Sequence, residues 1–122
     1  MELKPNMYVR TEKNIFKIKK INDEFITIMN TQYVLHHSKF TGHYYFCDDD
    51  EVYTIGKTSQ NIINLIEEGD YVNGYYVEDV LKTFVNVAVG SNYFQSPTIY
   101  EKDIKSVVTK EQFENMEYRI GE

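Results

Sequence analysis

The feature that most constrains this chain is a phrase it uses twice. Near the start, Asn6-Met7-Tyr8-Val9 opens a segment that exits on Ile18-Lys19-Lys20-Ile21. Later, Gly69-Asp70-Tyr71-Val72 opens one that exits on Val77-Glu78-Asp79-Val80. Tyr-Val matches Tyr-Val, and an aliphatic–charged–charged–aliphatic exit matches its partner, with four more residues in the first turn than in the second. The second copy turns at Asn73-Gly74, a pair that tolerates φ > 0 at both positions and therefore favours a tight hairpin. The repeated unit is a small β module.

The residues between the copies fill out the module. Thr11-Glu12-Lys13-Asn14 reads as a polar hairpin loop between strands over Met7–Arg10 and Ile15–Ile21, and Asn22-Asp23 as the next turn. Glu24–Met29 is a third β-prone run, matched in the second copy by Thr83–Val89. Gln32–Leu35 and His43–Cys47 are candidate strands around a long loop, His36 to Gly42. Val52–Ile55 is expected to close the first module, and the stretch from Asp103 to Val108 the second.

The period then changes. Ser59 is placed to cap a short helix over 60–67, with Ile62, Ile63, Leu65 and Ile66 on one face and Gly69 ending it. Thr109-Lys110-Glu111-Gln112 is a capping-box pattern that opens a second short helix carrying Phe113 and Met116. The expected fold class is mainly β with two short helices. It is built as tandem SH3-like small barrels, one over residues 1–67 and one over 68–122. A half of about 60 residues buries only roughly 60% of its unfolded surface, so the modules are expected to pack on each other. Barrel closure would also protect the edges of such short strands.

Composition narrows the function classes. Eleven Tyr and seven Phe, with no Trp, suit many half-exposed strand faces or a tyrosine-rich binding surface. A net charge of −6 argues against a phosphate-backbone binder. The one basic group, Lys13, Lys17, Lys19 and Lys20, falls at hairpin spacing and reads as a solvated strand face. Cys47 is the only cysteine, so no intrachain disulfide can form, which fits a reducing cytoplasm. There is no signal-peptide pattern and no apolar run near 18 residues.

The residues that could carry chemistry are His36, His37, His43, Cys47 and Asp48 to Asp50. His43 and Cys47 are four apart, which on a strand separates them by about 13 Å. Neither CxxC nor HxxxH occurs, so no metal site is expected. Cys47 lacks an activating helix N-terminus, and a cysteine on a strand reads as a small buried hydrophobe rather than a nucleophile. No glycine-rich phosphate loop is present. The run Asp48-Asp49-Asp50-Glu51 lacks the alternate spacing of a calcium loop and reads as an exposed acidic loop. No enzyme activity and no cofactor are expected, which leaves a binding module whose long loops carry the function.

Gly69-Asp70-Tyr71-Val72-Asn73-Gly74-Tyr75, the tail Ile104 to Glu114 and the opening Met7-Tyr8-Val9-Arg10-Thr11 resemble those of small uncharacterised proteins of phages and prophages of low-GC Gram-positive bacteria. The resemblance does not extend over 24–50 or 81–100, and it supplies no site residues. It implies a setting in which small acidic proteins act against host defence. The leading expectation is an anti-CRISPR-type inhibitor that binds a host nucleic-acid-processing effector, with no direct nucleic-acid or membrane contact. Its acidic groups would stand in for phosphates: Asp48, Asp49, Asp50 and Glu51, with Glu67, Glu68 and Asp70 as further candidates. The aromatic residues Tyr44, Tyr45, Tyr93 and Phe94 would complete the surface. An alternative is a sponge for an immune signalling nucleotide, with tyrosines stacking on bases and Arg10, Lys17, Lys19 or Lys20 meeting phosphates. A third is an accessory protein that self-associates, as a homodimer for example, through a sheet edge.

Overall fold

Short runs of alternating apolar and polar residues, punctuated by turn chemistry, give this chain its strands. A computed structural model describes residues 3–88 and 97–114. The chain divides into two compact units, Met1–Asn61 and Ile62–Glu122. The fold is mainly β, with curled antiparallel sheets that include a half-barrel.

In the first unit, β1 (Tyr8–Arg10), β2 (Ile15–Ile21), β3 (Phe25–Ile28) and β4 (Thr31–Val34) form an antiparallel meander. A second, three-stranded sheet follows, made of β5 (His36–His37), β6 (Tyr44–Asp48) and β7 (Glu51–Thr54). The chain then returns in β8 (Lys57–Ser59), which pairs with β1 and gives the order β4-β3-β2-β1-β8. The turns obey their residues. The Thr11 hydroxyl accepts the Lys13 and Asn14 amides at 3.2 and 3.1 Å, and the Asn22 carboxamide oxygen accepts those of Glu24 and Phe25, both at 2.8 Å.

The second unit opens with a 3-10 turn, Ile62–Leu65, and then β9 (Tyr71–Val72), β10 (Tyr75–Val80), β11 (Phe84–Ala88) and β12 (Thr98–Tyr100). A second 3-10 turn, Glu101–Asp103, leads to β13 (Val107–Val108), and the sheet order is β12-β11-β10-β9-β13. Both five-stranded sheets therefore place their fifth strand beside their first. Each also breaks register at the same point of the matched phrase, between Ile18 and Lys20 in β2 and between Val77 and Asp79 in β10. Such a bulge bends the strand and curls the sheet.

Each unit has its own core. Val9, Ile18, Ile26, Ile28, Phe46 and Ile55 fill the first, and Ile63, Ile66, Val72, Val77, Val85 and Val87 the second. Val9 and Val72 occupy matching places, as do Ile18 and Val77, and burying side chains of this size contributes about 1.5–3 kcal/mol each.

Several expected elements differ. His36 and His37 are strand residues, because Tyr45 and Tyr44 pair with them across the ladder. Val52–Thr54 belongs to the three-stranded sheet, and the strand closing the first unit is the polar β8. In the second unit Glu101–Asp103 forms a 3-10 turn and only Val107–Val108 is strand. The expected helix over 60–67 is a single 3-10 turn, and its Ile63, together with Ile66, packs in the second core, so the units part at 61/62 rather than at 67/68. The C-terminal helix, α1, is described over 110–114. Its capping box is reciprocal: the Thr109 amide donates to Gln112 Oε1 at 3.0 Å, and the Gln112 amide donates to Thr109 Oγ1 at 3.2 Å. Among the described residues no helix is long and apolar enough to cross a membrane.

Candidate functional site

The acidic run is the turn of a tight hairpin rather than a loop. Asp48 at the end of β6 pairs with Glu51 at the start of β7, leaving Asp49 and Asp50 as a two-residue connection. Asp49 is left-handed, φ 53°, a conformation that Asp tolerates better than most residues. All four carboxylates are exposed. Like charges directly opposite each other in a ladder repel, and the first unit offsets this at the two paired positions. Lys13 makes an ion pair with Glu51, and the Tyr33 hydroxyl donates to Asp48 Oδ2 at 3.4 Å. Asp49 and Asp50 have no hydrogen bond or ion pair among the described residues, so the outermost pair of charges faces solvent.

An aromatic cluster anchors the hairpin. Phe46, only 1% exposed, is stacked on Tyr53 with centroids 5.3 Å apart. It also meets Tyr33 at 4.9 Å and the edge of Phe16 at 5.8 Å. Lys13 Nζ lies 5.1 Å from the Tyr53 ring centre, so one ammonium serves both a carboxylate and a π face. Burial first, and then the negative charge of Asp48, the Tyr33 phenol and the Glu12 carboxylate, push the Tyr53 phenol above its usual range. The Glu12 carboxylate accepts the Thr54 amide at 3.0 Å and so occupies a donor on β7, an edge strand of the three-stranded sheet.

Tyr44 and Tyr45, named with the acidic run as surface residues, lie elsewhere on the hairpin. Tyr44 and Tyr45 begin β6, at the opposite end from Asp48. Tyr44 stacks on His37 at 4.5 Å and Tyr45 on His36 at 5.0 Å, and as neighbours in a strand they face opposite sides. Tyr93 and Phe94 lie outside the described residues. The aromatic residues that do adjoin the acidic tip are Tyr33 and Tyr53. The alternation of β6 against β7, which sets Tyr53 opposite Phe46, is the signal that could have found the second of them.

Asp70 is not a surface acid. It is fully buried, with Oδ2 accepting the Glu67 amide at 2.8 Å and Oδ1 the Lys110 amide at 3.0 Å. Glu67 is bound to Lys110 Nζ at 2.9 Å, a bond that raises the lysine above its usual range, while Glu68 remains exposed. Arg10 is only 5% exposed and is not available to a phosphate, whereas Lys17, Lys19 and Lys20 stay exposed on β2. Cys47 is exposed rather than buried, because its side of β6 is opposite Phe46. Among the described residues no three His, Cys, Asp or Glu side chains converge as a metal site would require.

No protein-family model matches the chain, and no curated protein or solved structure is similar enough to count as a match. The reading of function therefore rests on the chain's own geometry. That geometry offers an exposed cluster of negative charge on a hairpin held by aromatic packing.

Proposed function

We propose that the protein is a non-catalytic binding module whose acidic hairpin docks into the basic groove of a nucleic-acid-processing defence effector, as an anti-CRISPR-type inhibitor would. The observation that carries this reading is the β6–β7 hairpin: four carboxylates in four residues, all exposed, on a tight turn held from below by Phe46 and Tyr53. A rigid display matters because each side chain immobilised on binding costs about 0.5–1.5 kcal/mol. The resemblance to phage and prophage proteins supplies the setting, with the host cytoplasm as the place of action.

The finer fold reading belongs to the same proposal. Tandem SH3-like barrels are supported by the fifth strand pairing with the first in both units, and by the 3-10 turn before β13. On that reading the three-stranded sheet is an insertion in the first barrel between its fourth and fifth strands.

The test uses purified effector nucleases and a double charge reversal, Asp49→Lys with Asp50→Lys. The intact protein should compete with nucleic acid for the effector and slow its cleavage, and the reversed variant should do neither. Equal inhibition by both proteins, or no effect on any effector tried, sinks the reading.

The nucleotide-sponge alternative keeps one observation in its favour, since Lys17 Nζ lies 5.7 Å from the centre of the Tyr8 ring, an arrangement with both a cation and a π face. Calorimetry against cyclic oligonucleotides decides it, and heats no larger than dilution controls remove it.

A further inference from the structure

The first unit holds a cavity of about 520 Å³ at the other end of the hairpin from the acidic tip. That volume falls within the range of small-ligand sites, about 300–1,000 Å³. Leu3, Ile21 and Leu35 supply its apolar part, and all three are half-buried against the core beneath. Asn22, Asp23, His37 and Tyr44 supply the polar part. No lysine or arginine lines it among the described residues.

Among these polar residues Asp23 alone brings a formal negative charge, and no positive one opposes it in the lining. The carboxamide oxygen of Asn22 is taken by two backbone amides, which fixes the turn that carries Asp23. The Asp23 carboxylate only accepts. His37 Nε2 lies 3.1 Å from the Gly42 carbonyl oxygen, which can only accept, so that nitrogen carries a proton and is engaged by the loop. Tyr44 can accept as well as donate. Its ring and that of His37 are stacked at 22°, a flat aromatic pair beside the carboxylate.

We infer that this cavity is a binding site for an amphipathic cation, specifically an arginine side chain of a protein partner. The three-carbon stem lies on Leu3, Ile21 and Leu35, and the guanidinium meets Asp23 and the His37–Tyr44 pair. A guanidinium suits the site better than an ammonium, because it is planar, weakly hydrated and stacks on aromatic faces. The arginine's origin in a basic partner rests on the proposed function, whereas the site's preference for the cation does not.

The test follows backbone amide shifts during titration with n-butylguanidinium, n-butylammonium and butyrate, and then with a capped Gly-Arg-Gly peptide and with spermidine. Saturable shifts centred on Asn22, Asp23, His37 and Tyr44 are expected with butylguanidinium and the peptide, weaker ones with butylammonium, and none with butyrate. Asp23→Asn, an exposed turn position, should weaken butylguanidinium binding about tenfold while leaving distant shifts unchanged. The inference is overturned by equal binding of butyrate, by shifts centred elsewhere, or by unchanged affinity in Asp23→Asn. Tighter binding of spermidine than of the arginine peptide also overturns it, by assigning the site to a free polyamine. The double reversal at Asp49 and Asp50 should leave butylguanidinium binding intact, so failure of the effector reading and failure of this one are told apart.

Discussion

Replacing Asp70 with alanine should come close to unfolding the second unit while leaving the first in place. The carboxylate is fully buried and receives two backbone amides, those of Glu67 and Lys110, which lie on opposite sides of the unit's first strand in sequence. A hydrogen bond to a charged group is worth about 1.5–3 kcal/mol, and a donor left without a partner on burial loses about 1–3 kcal/mol. Counting the two amides but not double-counting their desolvation gives a loss of about 3–5 kcal/mol. A unit of this size, at about 0.1 kcal/mol per residue, holds only roughly 5–6 kcal/mol in total. Asp70→Asn should lose less, because one carboxamide oxygen still accepts while its NH₂ confronts the other donor. Asp50→Ala, at an exposed turn, should stay within about 0.5 kcal/mol of the parent. The assay is urea unfolding followed residue by residue, reading Val72, Val85 and Val87 for the second unit and Val9, Ile18 and Ile26 for the first. A loss below about 1 kcal/mol for Asp70→Ala would refute the role given to this carboxylate.

Other outcomes follow from the same contacts. Asn73 takes the Lys105 and Ser106 amides on its side-chain oxygen at 2.8 and 3.1 Å and gives its NH₂ to the Asp103 carbonyl at 2.9 Å, all from a left-handed backbone, φ 52°. Asn73→Gly keeps the turn but should lose about 2 kcal/mol through the missing bonds, and Asn73→Ala about 1 kcal/mol more through backbone strain, both read by chemical denaturation. Tyr53 and Lys110 are each raised above their ordinary values of 10.0 and 10.5. The folded state therefore holds these protons more tightly than the unfolded one. Their contribution to stability is whole below about pH 10 and falls as pH rises through the folded values. Denaturation midpoints measured from about pH 9 to about pH 11.5 should fall, and Tyr53→Phe should flatten the fall in the first unit; an unchanged slope in that variant would count against the Tyr53 assignment.

What could be read from the residues was the part set by local chemistry. The repeated Tyr-Val and its aliphatic–charged–charged–aliphatic exit mark β1 with β2 and β9 with β10, because pleat alternation and turn residues act over a few positions, whereas the bulge the two exits share shows only in the pairing. The capping box at Thr109 was legible for the same reason. β8 was not. Lys57-Thr58-Ser59 has no apolar pattern, and its place is set by pairing with Tyr8 to Arg10 at the far end of the unit. Asp70 was misread for a related cause: an acid beside a glycine has the local look of a surface turn, and the Lys110 amide that makes its burial tolerable comes from a distant part of the chain. At the candidate site, the exposure of Asp48 to Glu51 was legible as a charge run. Which rings adjoin it depends on the register of β6 against β7, and Lys13 and Tyr33 reach it from other elements of the unit.

The three-stranded sheet between β4 and β8 has a consequence for how this frame can change. At the matching place the second unit has only a 3-10 turn between β12 and β13. Lengthening a closed loop costs only about 0.6 kcal/mol per doubling. The span from Tyr8 to its partner Ser59 is less than twice that from Tyr71 to Val108, so carrying the whole hairpin penalises the closing strand by less than about 0.6 kcal/mol. Chain entropy therefore sets almost no limit on the length of that connection, and what ties the present hairpin to the unit is packing, through Phe46 in the core. A hairpin of another length at this place would meet its constraint in the apolar residue it sends inward, rather than in the closure of β8 on β1.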